Sequence, residues 1–135
     1  MSAHPSALVE ARVSATEHPA AAARRAVARV LDRVPGCTER ARGDAELVAS
    51  ELVSNAVRHG GGLVALRVGL TQDGSGVWLE AEDATPQRPE ARRTLGEDAF
   101  RAGGFGWPIV LRLAASVRTE DVPGGKRIRV VLPVT

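Results

Sequence analysis

The sequence predicts an α/β (α+β) two-layer sandwich, with helices packed on one face of a mixed or antiparallel sheet. Three observations carry this expectation. Period-two and period-3.6 apolar runs follow one another in the order strand, two helices, two strands, long loop, helix, two strands. Two turn signals, Asp73-Gly74 and Val122-Pro-Gly-Gly125, each join a pair of β-type runs into a hairpin. At 135 residues the chain has the size of a single domain and can fold around one core without staples.

Residues 1–6 read as a tail, and one folded domain is expected over 7–135. From Ala7 to Ala15, Val9, Ala11 and Val13 fall on one side with Glu10 and Arg12 on the other, the alternation of a half-buried strand. Pro19 suits a first helical turn, and Ala20 to Val34 follows as a helix. Its Ala23, Val27, Val30, Leu31 and Val34 keep the 3.6 period, Arg25, Arg29 and Arg33 lie on another face, and Pro35-Gly36 ends it. A second helix runs from about Arg42 to His59 and stops at Gly60-Gly61-Gly62, which supply a left-handed cap and a turn into the next strand.

Leu63 to Leu70 and Val77 to Asp83 are the strands of a hairpin. From Ala84 to Gly106 neither period holds, and prolines and glycines interrupt the chain. A loop of that length inside a compact domain is uncommon and is usually functional. Trp107 to Ala115 reads as a short helix with Pro108 in its first turn. Ser116 to Glu120 and Lys126 to Val134 form the last hairpin.

Composition narrows the function classes. A chain with 44% hydrophobic and 25% charged residues is not disordered. No apolar run approaches the ~20 residues of a membrane span. The opening residues have neither the basic leader nor the apolar segment of a signal peptide. Cys37, the single cysteine, excludes an internal disulfide framework and a paired-cysteine metal site, and a cytoplasmic protein is expected. Acidic residues (16) are interleaved with basic ones (18), of which Lys126 is the one lysine. With two Phe, two Trp and no Tyr there are few stacking platforms, so a nucleic-acid-binding domain is the least favoured reading.

Four features could carry chemistry. In Glu51-Leu-Val-Ser-Asn55-Ala-Val-Arg-His59-Gly60, Glu51, Asn55 and His59 fall at i, i+4 and i+8 of the second helix and make one polar line. Beside it Val48, Leu52 and Ala56 make the apolar line expected to face the sheet. The polar line is either a solvated face or a site. Asp83 ends a strand just before the long loop, where a carboxylate can accept from an exocyclic amine of a purine or close an Asx-turn before Pro86. Gly103-Gly104-Phe105-Gly106 opens a helix, a place where the backbone can approach a phosphate. Gly124-Gly125-Lys126 is either a plain turn with a solvated lysine or a fourth part of a site.

In this order and spacing the four features resemble the GHKL-type (histidine-kinase-like) ATPase domain. Within that fold they resemble the small bacterial anti-sigma factor/serine-protein kinase family, over residues 7 to 134. The resemblance implies an ATP- and Mg²⁺-binding regulatory protein that binds a sigma factor and phosphorylates a serine of an antagonist protein. Asn55 would hold the Mg²⁺ that bridges the phosphates. Glu51 would be the general base toward the attacking hydroxyl. His59 would line the same pocket. Asp83 would accept from the adenine amino group.

The 84–106 loop would be a lid over the triphosphate. In it Gly104, Phe105, Gly106 and Trp107 make the phosphate-side stretch, with Gly104 and Gly106 presenting backbone N–H groups. Lys126 would be a further nucleotide contact, and Arg88, Arg92, Arg93 and Arg101 are lid cations. A homodimer is implied as well, with the Ala7–Ala15 strand as a contact surface. The departures from the family pattern lie around the nucleotide. Phe105 and Trp107 replace a basic residue and a leucine, Ala84-Thr85-Pro86 follows Asp83, Ser116-Val117 replaces an aromatic residue, and Arg127 stands where a threonine is usual. The alternative they support is the same fold acting as a protein-binding module without phosphotransfer.

Overall fold

The structure, a computed structural model, describes residues 10–14, 18–59, 62–84 and 106–135. Their elements are β1 (Ala11–Ser14), α1 (Pro19–Leu31), α2 (Glu39–His59), β2 (Leu63–Leu70), β3 (Gly76–Asp83), α3 (Gly106–Leu113), β4 (Ser116–Val122) and β5 (Gly125–Pro133). The five strands form one sheet in the order β1-β2-β3-β5-β4, and every neighbouring pair is antiparallel. The helices cover one face of it, and the two-layer expectation holds with a wholly antiparallel sheet among the described residues.

Local chemistry moves several element ends. α2 begins at Glu39, three residues before the expected start, because the Thr38 hydroxyl caps it, accepting from the Ala41 N–H at 3.0 Å. α1 stops at Leu31 and not at Val34. The N–H groups of Arg33 and Val34 turn back to Val30 and Leu31, three residues away, as Pro35 holds Val34 out of the helical region. α3 ends at Leu113 because the Ala115 N–H is taken by Val131 O at 2.8 Å, which draws the chain into the sheet. The last hairpin is tighter than expected. Pro123 and Gly124 alone form its loop, with Gly124 at φ +78°, a conformation that favours glycine. Of the predicted Ala7–Ala15 strand, residues 11–14 are β1, while residues 7–9 and Ala15 lie outside the described residues, as do the 1–6 tail and all of the 84–106 loop except its ends.

The core lies between the helices and one side of the sheet. α2 contributes Val48, Leu52 and Ala56 as expected, α1 contributes Ala23, Val27, Val30 and Leu31, and α3 contributes Val110. The sheet answers with Leu66, Val68, Val77, Leu79, Ala81, Ile128, Val130 and Leu132. Alternation sends the other side chains to the opposite face. There Glu80 lies 3.6 Å from Arg67 and 3.4 Å from Arg129, and the Arg129 guanidinium sits 4.4 Å from the centre of the Trp78 ring. Arg127 bonds Glu82 and Glu120, each at 3.2 Å.

Two glycines predict opposite responses to a methyl group. A Cβ on Gly43, exposed in α2, meets nothing, so Gly43→Ala should stabilise the fold by about 1 kcal/mol through helix propensity. A Cβ on Gly125 would overlap the backbone carbonyl of Asp83, and Gly125→Ala should cost about 1–3 kcal/mol as overpacking does. Thermal melts of the two variants should shift in opposite directions.

The β2–β3 turn predicts a pH effect. The Asp73 carboxylate accepts from the Ser75 N–H at 3.0 Å and from the Ser75 and Thr71 hydroxyls at 2.8 Å, and these bonds hold its pKa below the usual 3.8. Its contribution is therefore complete above the unfolded value and lost as pH falls through the lower folded one. Wild type should melt above Asp73→Ala at neutral pH, and the gap should close on acidification below about pH 4.

Candidate functional site at one end of the sheet

The C-terminal end of α2 and the ends of three strands meet at one end of the molecule. Gly62, at φ +112°, donates its N–H to Ala56 O at 3.0 Å, closing α2 and turning the chain back at once. Leu63, the next residue, is the register partner of Asp83 at the end of β3. Asp83 is in turn the partner of Lys126 at the start of β5. Gly125 brings the two strands together here, since any Cβ at that position would overlap the Asp83 carbonyl.

α3 completes the arrangement. Its first residue, Gly106, is buried directly against Glu51 of α2, so closely that a Cβ at 106 would overlap the Glu51 carboxylate. Glu51 and Asn55 are both half-buried, and no hydrogen bond or ion pair holds either side chain among the described residues. His59 ends α2 in line with them; its side chain lies outside what the structure describes, as do Gly104 and Phe105 and the four lid arginines. Trp107 packs half-buried against the core, giving it a structural contact that the sequence pattern did not suggest.

The strand ends hold a feature that sequence reasoning did not anticipate. Lys126 Nζ lies 2.6 Å from Asp83 Oδ2, and both side chains are almost fully enclosed, at 4% and 5% exposure. The lysine is not a solvated turn residue. The signal was present as parity: Lys126 shares its face of β5 with Ile128, Val130 and Leu132, all buried. Arg127, the next residue, faces the opposite way. Burial lowers its pKa, but hydrogen bonds to Glu82 and Glu120 more than offset this, and the guanidinium stays charged on the outer face. Lys126 is thus on the core side of β5 and Arg127 on the outer side.

The arrangement offers a half-buried carboxylate and amide on one helix, the start of a second helix beside them, and an enclosed donor–acceptor pair across the strand ends. Among the described residues no group of three or more His, Cys, Asp or Glu could hold a metal ion, and no helix is long and apolar enough to cross a membrane.

Comparison with known proteins places the fold. A family profile described as histidine kinase-like ATPase domain matches residues 13–132. No curated protein matches the sequence. The fold is similar to the crystal structure of the RsbU and RsbW domains of Rv1364c from Mycobacterium tuberculosis, with a TM-score of 0.65 and 20% identity over 92% of this chain. This chain spans 32% of the length of that one. It is also similar to a blue-light activated histidine kinase from Erythrobacter litoralis, with a TM-score of 0.54 and 16% identity, over 83% of this chain and 42% of that chain. The histidine kinase domain of the same protein gives a TM-score of 0.51 and 17% identity, over 82% of this chain and 60% of that one. With the profile covering nearly all of it, the chain belongs to the histidine kinase-like ATPase domain family.

Proposed function

We propose that this chain is an ATP- and Mg²⁺-binding regulatory domain of the anti-sigma factor and serine-protein kinase type, which binds a sigma factor in one state and phosphorylates a serine of an antagonist protein in another. The observation that carries this reading is the Glu51–Asn55 line: two polar side chains half-buried on a packed helix, bonded to no described residue, beside the glycine start of α3. Half-buried polar groups ordinarily find partners, and a pair held this way suits a ligand. A homodimer belongs to the same proposal, with β1 at an edge of the sheet as its contact surface.

The residues fit the nucleotide and its metal. Bound ATP supplies the transferable phosphoryl group, and Mg²⁺ neutralises its charge. Asn55 would offer the hard cation an amide oxygen. Gly106 keeps the first turn of α3 clear of side-chain bulk on the side of Glu51, so its N–H groups can receive phosphate. Asp83 accepts from the adenine amino group. Glu51 takes the hydroxyl proton of the incoming serine as that oxygen bonds to phosphorus and the phosphorus–oxygen bond to the leaving ADP breaks.

Two experiments test this. Glu51→Ala should leave ATP binding nearly intact and cut phosphotransfer by about 10²–10⁴-fold, the usual range for a lost general base. Transfer of label from γ-labelled ATP to the cognate antagonist measures it. A wild type that binds ATP and labels no antagonist would make the chain a binding module. Calorimetry tests the metal site: Asn55→Ala should abolish the Mg²⁺ dependence of nucleotide binding, and an unchanged dependence would remove Asn55 from the site.

A further inference from the structure

The face of the sheet turned away from the helices carries a charged row that the nucleotide reading does not use. Register sets Arg12, Arg67, Glu80, Arg129 and Arg118 side by side, one from each strand in the order β1-β2-β3-β5-β4. At about 4.8 Å per strand the row is about 19 Å long. Glu80 is enclosed at its centre, 3.6 Å from Arg67 and 3.4 Å from Arg129. Arg12 and Arg118 are exposed at the two ends, and each stands directly opposite another arginine. Like charges so placed destabilise a strand pair. Arg12 bonds the Ser14 hydroxyl at 2.7 Å, and among the described residues neither arginine has an acidic partner. A glutamate at either position would guard the sheet edge equally well and would pair with the arginine opposite. The fold itself therefore gives no reason for these two cations.

With Glu82, Arg127 and Glu120 in the neighbouring row, this face sets five arginines against three glutamates. We infer that it docks an acidic segment of a partner protein, with carboxylates over both ends of the row and an uncharged middle over Glu80. The two arginine pairs are centred about 14 Å apart, three strand spacings, which about four or five extended residues span. A second copy of this chain would bring the same net basic face and meet repulsion. A nucleic acid would bring phosphates over Glu80, Glu82 and Glu120 as well as over the arginines. It would also find no stacking platform, since the Trp78 ring lies beneath Arg129 at 2% exposure. A polypeptide can leave its centre uncharged, and a phosphate backbone cannot. The surface shares no residue with the Glu51–Asn55 line, so the inference stands apart from nucleotide binding.

The test uses the full chain without nucleotide and two end-blocked heptapeptides carrying a neutral dye, EESGSEE and KKSGSKK, with binding read as fluorescence anisotropy. At low salt wild type should bind the acidic peptide about tenfold or more tightly than the basic one, the product of four exposed charge pairs each giving a factor of about two. The preference should fade as added salt shortens the screening length. Arg12→Gln/Arg118→Gln, which leaves three arginines against three glutamates, should bind the two peptides alike. Arg12→Glu/Arg118→Glu should prefer the basic peptide. Both variants should melt no lower than wild type, because each removes two like-charge pairs. A wild type that binds both peptides alike would overturn the inference, and so would an acidic preference that survives in the variants. Pentathymidylate, with four phosphates in place of four carboxylates, separates the partner classes. Tighter binding of it than of EESGSEE would make the face a nucleic-acid surface. Self-association of wild type that both variants lose would give the face to a second copy, and either result would remove the acidic protein partner.

Discussion

The register of β3 is the constraint on which the rest of the molecule depends. This strand pairs with β2 on one side and β5 on the other, and its side chains divide cleanly between the two faces. Val77, Leu79 and Ala81 enter the core, while Trp78, Glu80 and Glu82 form part of the charged outer face. A slip of one residue against either neighbour would exchange the two sets, burying two glutamates against the helices. It would also move Asp83 away from Lys126. Core packing and the geometry of the site are thus enforced by the same hydrogen-bonded ladder.

α2 extends this rigidity to the helical layer. Its apolar line of Val48, Leu52 and Ala56 is locked into the core, and the polar line of Glu51 and Asn55 is carried on the same backbone one step around the helix. A catalytic group on a packed helix needs no further ordering when a ligand arrives, which is the advantage of building sites on regular elements. The contact of Gly106 with Glu51 adds a second reference point, because the start of α3 is placed by the absence of a side chain at that position.

The outer face of the sheet takes up five of the arginines: Arg12, Arg67, Arg118, Arg127 and Arg129. Arg67, Arg127 and Arg129 lie among Glu80, Glu82 and Glu120, and Arg129 covers the Trp78 ring. Arg12 and Arg118, the register partners of Arg67 and Arg129, share this face and leave it net basic, while the Trp78 ring is buried, at 2% exposure. The mixed composition of the sequence is the one-dimensional form of this cross-strand pairing.

The sequence by itself determined the element order, the sheet-and-helix layering and the Glu51–Asn55 line, because these follow from local periodicity and turn chemistry. The two hairpins, the glycine end of α2 and the apolar line facing the sheet were legible for the same reason. Element ends were less so: α2 starts early because of a single Thr38 cap, and α1 and α3 stop early where Pro35 and the Ala115–Val131 bond intervene. Tertiary structure alone decided which residues from distant segments meet. Glu51 and Gly106 are far apart in the chain, as are Asp83 and Lys126, and no local rule specifies such neighbours. They come together because an antiparallel ladder sets Lys126 opposite Asp83 and core packing seats α3 on α2, both long-range consequences of burying one continuous apolar surface.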